Sequence, residues 1–187
     1  MISRQKGGLC VLNQQENFIQ NLESKLYRSV IKNHFSKIIF ICIGTNQLEG
    51  DKFGPLVGKE LKKRFQGKPS VEVYGTVSRP VHFLNAQKYC EALKQENACT
   101  IAIDSAFAPL ERVGNTYVRW GGIQLGKAFQ KELYFPANIS IKTVISPQAT
   151  NRIQNFHNML QCSTKDIEEI SLQVADGIHN AMKHVIL

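Results

Sequence analysis

The first regular pattern in the chain lies over residues 16–35, where Phe18, Leu22, Leu26 and Val30 recur every four positions. That spacing lays one apolar stripe along a helix, and Ile31 extends it. Ile38, Ile39, Phe40, Ile41, Cys42 and Ile43 follow as a near-continuous apolar run, the signature of a strand buried on both faces. The run stops at Gly44, where a loop begins. Pro55 suits the opening of the next helix, because its missing N–H would have no partner there. Val57, Leu61 and Phe65 mark the buried face of that helix, lysines cover the other, and Gly67, Lys68 and Pro69 end it. Residues 71–74 alternate as a shorter, more exposed strand. Residues 85–97 return to the helical period, with Ala86, Tyr89, Cys90 and Leu93 inward and Asn85 as cap. Residues 100–103 form another buried strand, and Asp104 follows at once.

Beyond Asp104 the pattern loosens. Val118 falls in a short strand between turns. Residues 121–136, with Gly121, Gly122, Gly126 and Pro136, read as an ordered loop excursion. Ile139, Ile141, Thr143 and Val144 alternate as a further strand. Residues 152–160 predict a short helix with Ile153, Phe156 and Leu160 inward. Ser163 opens the last helix, with Asp166 three residues on, and Ile167, Ile170, Val174, Ile178 and Met182 form its stripe. The alternation of strand and helix predicts a single domain over 1–187. It is an α/β unit with a mostly parallel central sheet, helices on both faces and an N-terminal helix near 16–35.

A chain of 187 residues that is 43% hydrophobic can bury a sizeable core. The 23 Lys and Arg against 15 Asp and Glu leave a net charge of +8, a weak preference for anionic partners. The densest basic cluster, Lys59, Lys62, Lys63 and Arg64, reads as a solvated helix surface rather than a nucleic-acid site. Five cysteines, an odd number without C-x-x-C or a Cys/His cluster, fit a reduced cytoplasmic interior. Residues 1–20 lack the apolar core of a signal peptide, and no apolar run is long enough to span a membrane.

In an open parallel sheet, ligands and chemistry gather beyond the carboxyl ends of the strands. The pattern puts Asp104 at that edge, and Asp51 in the loop after the first strand, between Gly50 and Gly54. Each has a plain structural role open to it: Asp51 as a turn or helix-end residue, Asp104 as a tie between loops. As a pair they offer more. Two carboxylates held together cannot both ionise cheaply, so one becomes a base and the other an acid. The same pair would bind a divalent metal if a third ligand came from His82, Glu49 or the backbone near Gly44. The glycines of 44–54 do not fit G-x-G-x-x-G, and no Lys-Ser/Thr follows them. No cofactor is therefore required. No G-x-S-x-G surrounds Ser105, and Cys42 and Cys99 read as core thiols.

Ile41-Cys42-Ile43-Gly44-Thr45, followed by 50–58 as Gly-Asp-Lys-Phe-Gly-Pro-Leu-Val-Gly, closely resembles the YyaC-like proteins of spore-forming bacteria. Val73-Tyr74-Gly75-Thr76, Pro80-Val81-His82, Leu84-Asn85 and Ile103-Asp104 continue the likeness, which spans about 37–187. That family is in turn similar to the germination protease and to hydrogenase maturation endopeptidases. The resemblance implies a three-layer α/β sandwich of the phosphorylase/hydrolase-like, peptidase-like kind. It implies Asp51 and Asp104 as a catalytic pair, with Gly44, Thr45, Asn46, Gly50, Gly54, His82 and Ser105 around the substrate and the backbone near Gly44 as oxyanion donor. It also implies a protein or peptide partner, a homo-oligomeric option and a sporulating cell. Phe53 and Ser105 depart from the leucine and alanine of the protease motif, and the chain is shorter. Two expectations follow: a peptide-bond hydrolase, or a binding protein that keeps the fold without the reaction.

Overall fold

The strongest apolar run becomes the middle of a sheet. In the computed structural model, which describes residues 7–94, 96–126, 133–183 and 185, strand β1 (Lys37–Cys42) has every side chain after Lys37 buried. It lies between β2 (Val71–Tyr74) and β3 (Ala98–Ala108), and the sheet continues through β7 (Ile139–Pro147) to β4 (Thr116–Trp120). The order is β2-β1-β3-β7-β4. The first four strands run parallel and β4 closes the edge antiparallel to β7. This is an α/β fold whose largely parallel central sheet is flanked by helices.

Because side chains alternate along a strand, β1 feeds two separate cores. Ile38, Phe40 and Cys42 meet helix α1 (Gly7–Asn33), helix α2 (Phe53–Arg64) and helix α5 (Thr164–Met182) on one face. Ile39 and Ile41 meet helix α3 (Phe83–Leu93) and a hairpin of β5 (Ile123–Leu125) and β6 (Leu133–Phe135) on the other. The stripe Phe18, Leu22, Leu26 and Val30 of α1 is buried, as its spacing predicts, but Ile31 turns to solvent at 52% exposure. Ser163 caps α5 by accepting the Asp166 N–H. Arg64 ties α2 to α5 through Asp176 at 2.7 Å and also holds Glu60, so it leaves the basic cluster of its helix.

Several local expectations change. Helix α4 (Arg152–Leu160) sits with Met159 buried, while Ile153, Phe156 and Leu160 face outward, the first at 85% exposure. A stripe at helical spacing fixes one face but not which way it points. Part of the expected loop over 121–136 is the β5–β6 hairpin, while residues 127–132 lie outside those described. The cap of α3 is His82, and Asn85 reaches back to its backbone N–H at 2.8 Å. Strand β3 runs past Asp104 to Ala108 because β7 continues beside it after β1 has ended.

Candidate functional site

The connections out of β1 and β3 leave in opposite directions. β1 passes through α2 to β2 on one side, and β3 leads toward β7 on the other. Between two such strands the chain connections diverge, and this switch point is where open α/β sheets place their crevice. Asp51 follows β1 and Asp104 lies on β3, so the two carboxylates flank this crevice.

The crevice is shaped by close backbone approach. Ile43 N–H donates to the Ile103 carbonyl at 2.8 Å, the last bond joining β1 to β3, and Gly44 then turns away at φ +152°. Its N–H donates to the Val81 carbonyl at 2.9 Å. A side chain at Gly44 would place Cβ 2.1 Å from the Asp51 carbonyl oxygen, and one at Gly54 would sit 2.0 Å from that of Ile43. Both glycines therefore let the loop 44–54 fold back over the end of β1. Gly50 is closed in by Ile145 and by Met159 of α4. Asp51 rides on the short 3-10 turn Gly50–Lys52 that this folding forms.

Asp51 Oδ2 accepts the Thr45 N–H at 2.8 Å. Burial pushes its pKa up, while hydrogen bonds from Thr45 and the charge of nearby His82 offset part of that shift. Asp104 has less support. Burial raises its pKa to about 7, opposed by Lys142 and a backbone N–H from Ser105 and reinforced by the negative charge of Asp51. The two carboxylates thus act on each other electrostatically, and the proton belongs preferentially on Asp104.

The remaining predicted residues fall into distinct places. His82 caps α3 beside Gly44, half-buried, close enough for its charge to favour ionised Asp51. Asn46 is exposed and holds the Val77 carbonyl at 2.7 Å, joining the Asp51 loop to the turn after β2. Ser105 gives its backbone N–H to Asp104, but alternation sends its side chain to the opposite face of the sheet. The N–H groups of Gly44 and Thr45 are already committed to Val81 and Asp51, so they are not free oxyanion donors. Glu49, a candidate third ligand, instead pairs with Lys52 and accepts from the Thr164 hydroxyl. Among the described residues no three His, Cys, Asp or Glu side chains converge as a metal site, so Asp51, Asp104 and His82 do not form a three-donor set.

One neighbour was not read from the sequence. Lys142 on β7 stands directly across from Asp104 in the parallel register and supplies the positive charge beside it. Only strand pairing brings these positions together.

The family described as protein of unknown function DUF1256 matches residues 10–177. The chain belongs to this family. It is 30% identical over 133 residues to the uncharacterized protein YyaC of Bacillus subtilis (strain 168), a match that takes in 68% of this chain. The matched region spans 62% of the length of that relative. Among solved structures it is similar to the [NiFe] hydrogenase maturation protease HycI from Thermococcus kodakarensis KOD1. The TM-score is 0.52 at 18% identity, over 80% of this chain and 94% of that one. At that identity the likeness is one of fold.

Proposed function

We propose that this DUF1256 protein is a sporulation-associated hydrolase that cleaves a peptide bond in a protein substrate. The observation that carries this reading is the pair of carboxylates flanking the β1/β3 crevice, with Asp104 held at about 7 beside the more ionisable Asp51. Below about pH 7 Asp104 keeps its proton and serves as the acid, and Asp51, the carboxylate favoured for ionisation by Thr45 and His82, serves as the base. Asp51 takes a proton from water as the water oxygen bonds to the peptide carbonyl carbon. Lys142 offers charge to the developing oxyanion in place of the committed loop N–H groups. Asp104 gives its proton to the departing nitrogen as the C–N bond breaks. The cycle closes when the proton on Asp51 passes to Asp104. The three-layer, peptidase-like arrangement and a cytoplasmic setting in a spore-forming cell complete the reading. The similarity to HycI and to YyaC supports the first. Free thiols at Cys42, Cys90, Cys99 and Cys162 support the second.

The experiment is incubation with a protein extract from sporulating cells, followed by mass spectrometry of new chain termini. Wild type is expected to generate termini that Asp51→Asn and Asp104→Asn each lose by about a hundredfold or more. A specific observation favours a second reading, that of a non-catalytic peptide-binding protein: the N–H groups of Gly44 and Thr45, the expected oxyanion donors, are already taken by Val81 and Asp51. Equal termini from wild type and the double variant would select that alternative.

A further inference from the structure

The cationic face of α2 borders an open strand. A groove of about 860 Å³ runs between the C-terminal half of α2 and β2, with Lys59, Lys62, Lys63 and Lys68 on its walls. All four lysines are exposed, and no ion pair to any of them is formed among the described residues. The two carboxylates near this groove are otherwise engaged. Glu60 is held by Arg64, and Glu72 by Lys37 and the Tyr74 hydroxyl. Lysines in a last helical turn answer the helix dipole, which accounts for Lys62 and Lys63. It does not account for Lys59, earlier on α2, or for Lys68, beyond its end.

The second observation is the sheet edge. β2 is the terminal strand of the order β2-β1-β3-β7-β4. Ile38 N–H donates to the Ser70 carbonyl at 2.8 Å, and Ile38 and Val71 are register partners. The parallel pattern then turns the backbone groups of Glu72 and Tyr74 to β1. The N–H and C=O of Val73 point the other way, as does the C=O of Val71, while Val71 N–H closes a turn onto Lys68. Such groups are a template for an added strand.

We propose that this edge binds an extended acidic peptide segment, which pairs with Val73 and sets its carboxylates against Lys59, Lys62, Lys63 and Lys68. The backbone supplies pairing without sequence preference, and the lysines select charge. The groove ends at Thr76 and Ser78, in the turn joined to the Asp51 loop through Asn46 and Val77. A strand laid on β2 therefore leaves the groove beside the carboxylate crevice. Its use in feeding a substrate rests on the hydrolytic reading, whereas the binding itself does not.

The test is fluorescence anisotropy with a short labelled peptide alternating Glu and Thr, beside a Lys/Thr peptide and a single-stranded oligothymidylate. Hydrogen exchange at the Val73 amide is followed in the same samples. Expected are saturable binding of the acidic peptide, weakened about tenfold or more by Lys62→Glu with Lys63→Glu, and slowed exchange at Val73. Lys59→Gln with Lys68→Gln, which only removes charge, should weaken it in the same direction, and added salt should weaken it in wild type. The Asp51→Asn, Asp104→Asn variant should bind as wild type does, even if no cleavage is ever seen. The proposal is overturned by equal binding of the Lys/Thr peptide or by unchanged Val73 exchange at saturation. It is equally overturned by an oligonucleotide that binds more tightly and displaces the peptide, or by no saturable binding of the acidic peptide.

Discussion

Asp104 carries the largest electrostatic cost in the crevice, and that cost has a sign. Its folded-state pKa is about 7 against an ordinary 3.8. The folded chain therefore binds a proton more tightly than the unfolded chain. The resulting stabilisation is fully present below the unfolded value and is lost as pH rises through about 7. Asparagine keeps the shape of the protonated acid without its titration. Asp104→Asn should thus be more stable than wild type at pH 8, on the order of 2 kcal/mol after allowance for partial contact with solvent. The gap should close toward pH 5. Urea titrations across that range would measure it, and parallel stability curves for the two proteins would refute the assignment of the proton. Asp51 and Asp104 were legible in the sequence because each follows a buried apolar run. Lys142 was not, since nothing in a strand pattern states which distant strand pairs with it. The orientation of Ser105 was also hidden, because the expected strand ended one residue before Asp104 and left the side-chain alternation beyond it unread.

Elements were legible where burial on both sides left a compositional trace. The run 38–43 is a case of this, since its composition forces it inside wherever the chain goes, while the stripe of α5 was legible from its one-sided helical spacing. α4 shows the limit. Ile153, Phe156 and Leu160 lie on one helical face, yet Met159 is the residue that reaches the core, against the Gly50 turn. Gly58 shows a packing reason that sequence could only suggest. A Cβ there would lie 2.1 Å from the Gly75 carbonyl oxygen, and Gly75 itself is pressed on Cys42 with φ +83°. Alanine would gain about 1 kcal/mol of helix propensity. Against this stands a clash with backbone on a strand end that cannot move without disturbing the sheet. The clash should prevail, and Gly58→Ala is expected to lose about 1–3 kcal/mol net. Thermal unfolding would read this as a fall of several degrees. An unchanged or higher midpoint would show that α2 can lift from β1 at little cost.

At the scale of the whole molecule, the crevice is built on the doubly paired centre of the sheet, while the short β5–β6 hairpin only covers part of one sheet face. β1 and β3 are paired on both sides and covered on both faces, whereas β5 and β6 pair with each other over three residues apiece. Amides of 39–42 and 101–103 should therefore exchange only through global unfolding, and those of 123–125 and 133–135 through local opening. The two classes should answer pH differently. Asp104 stands one residue past the last β1–β3 pair, so its ionisation weighs on the global state rather than on the hairpin. After correction for intrinsic exchange, raising pH from about 6 to about 8 should lower the protection of the central amides together, by the same free energy that urea titration reports. The hairpin amides should hold nearly constant. If instead the hairpin loosened while the centre stayed fixed, the charge on Asp104 would be relieved by local motion. The ionised carboxylate would then be accommodated by movement of the hairpin that covers the sheet face, with the sheet itself left unstrained.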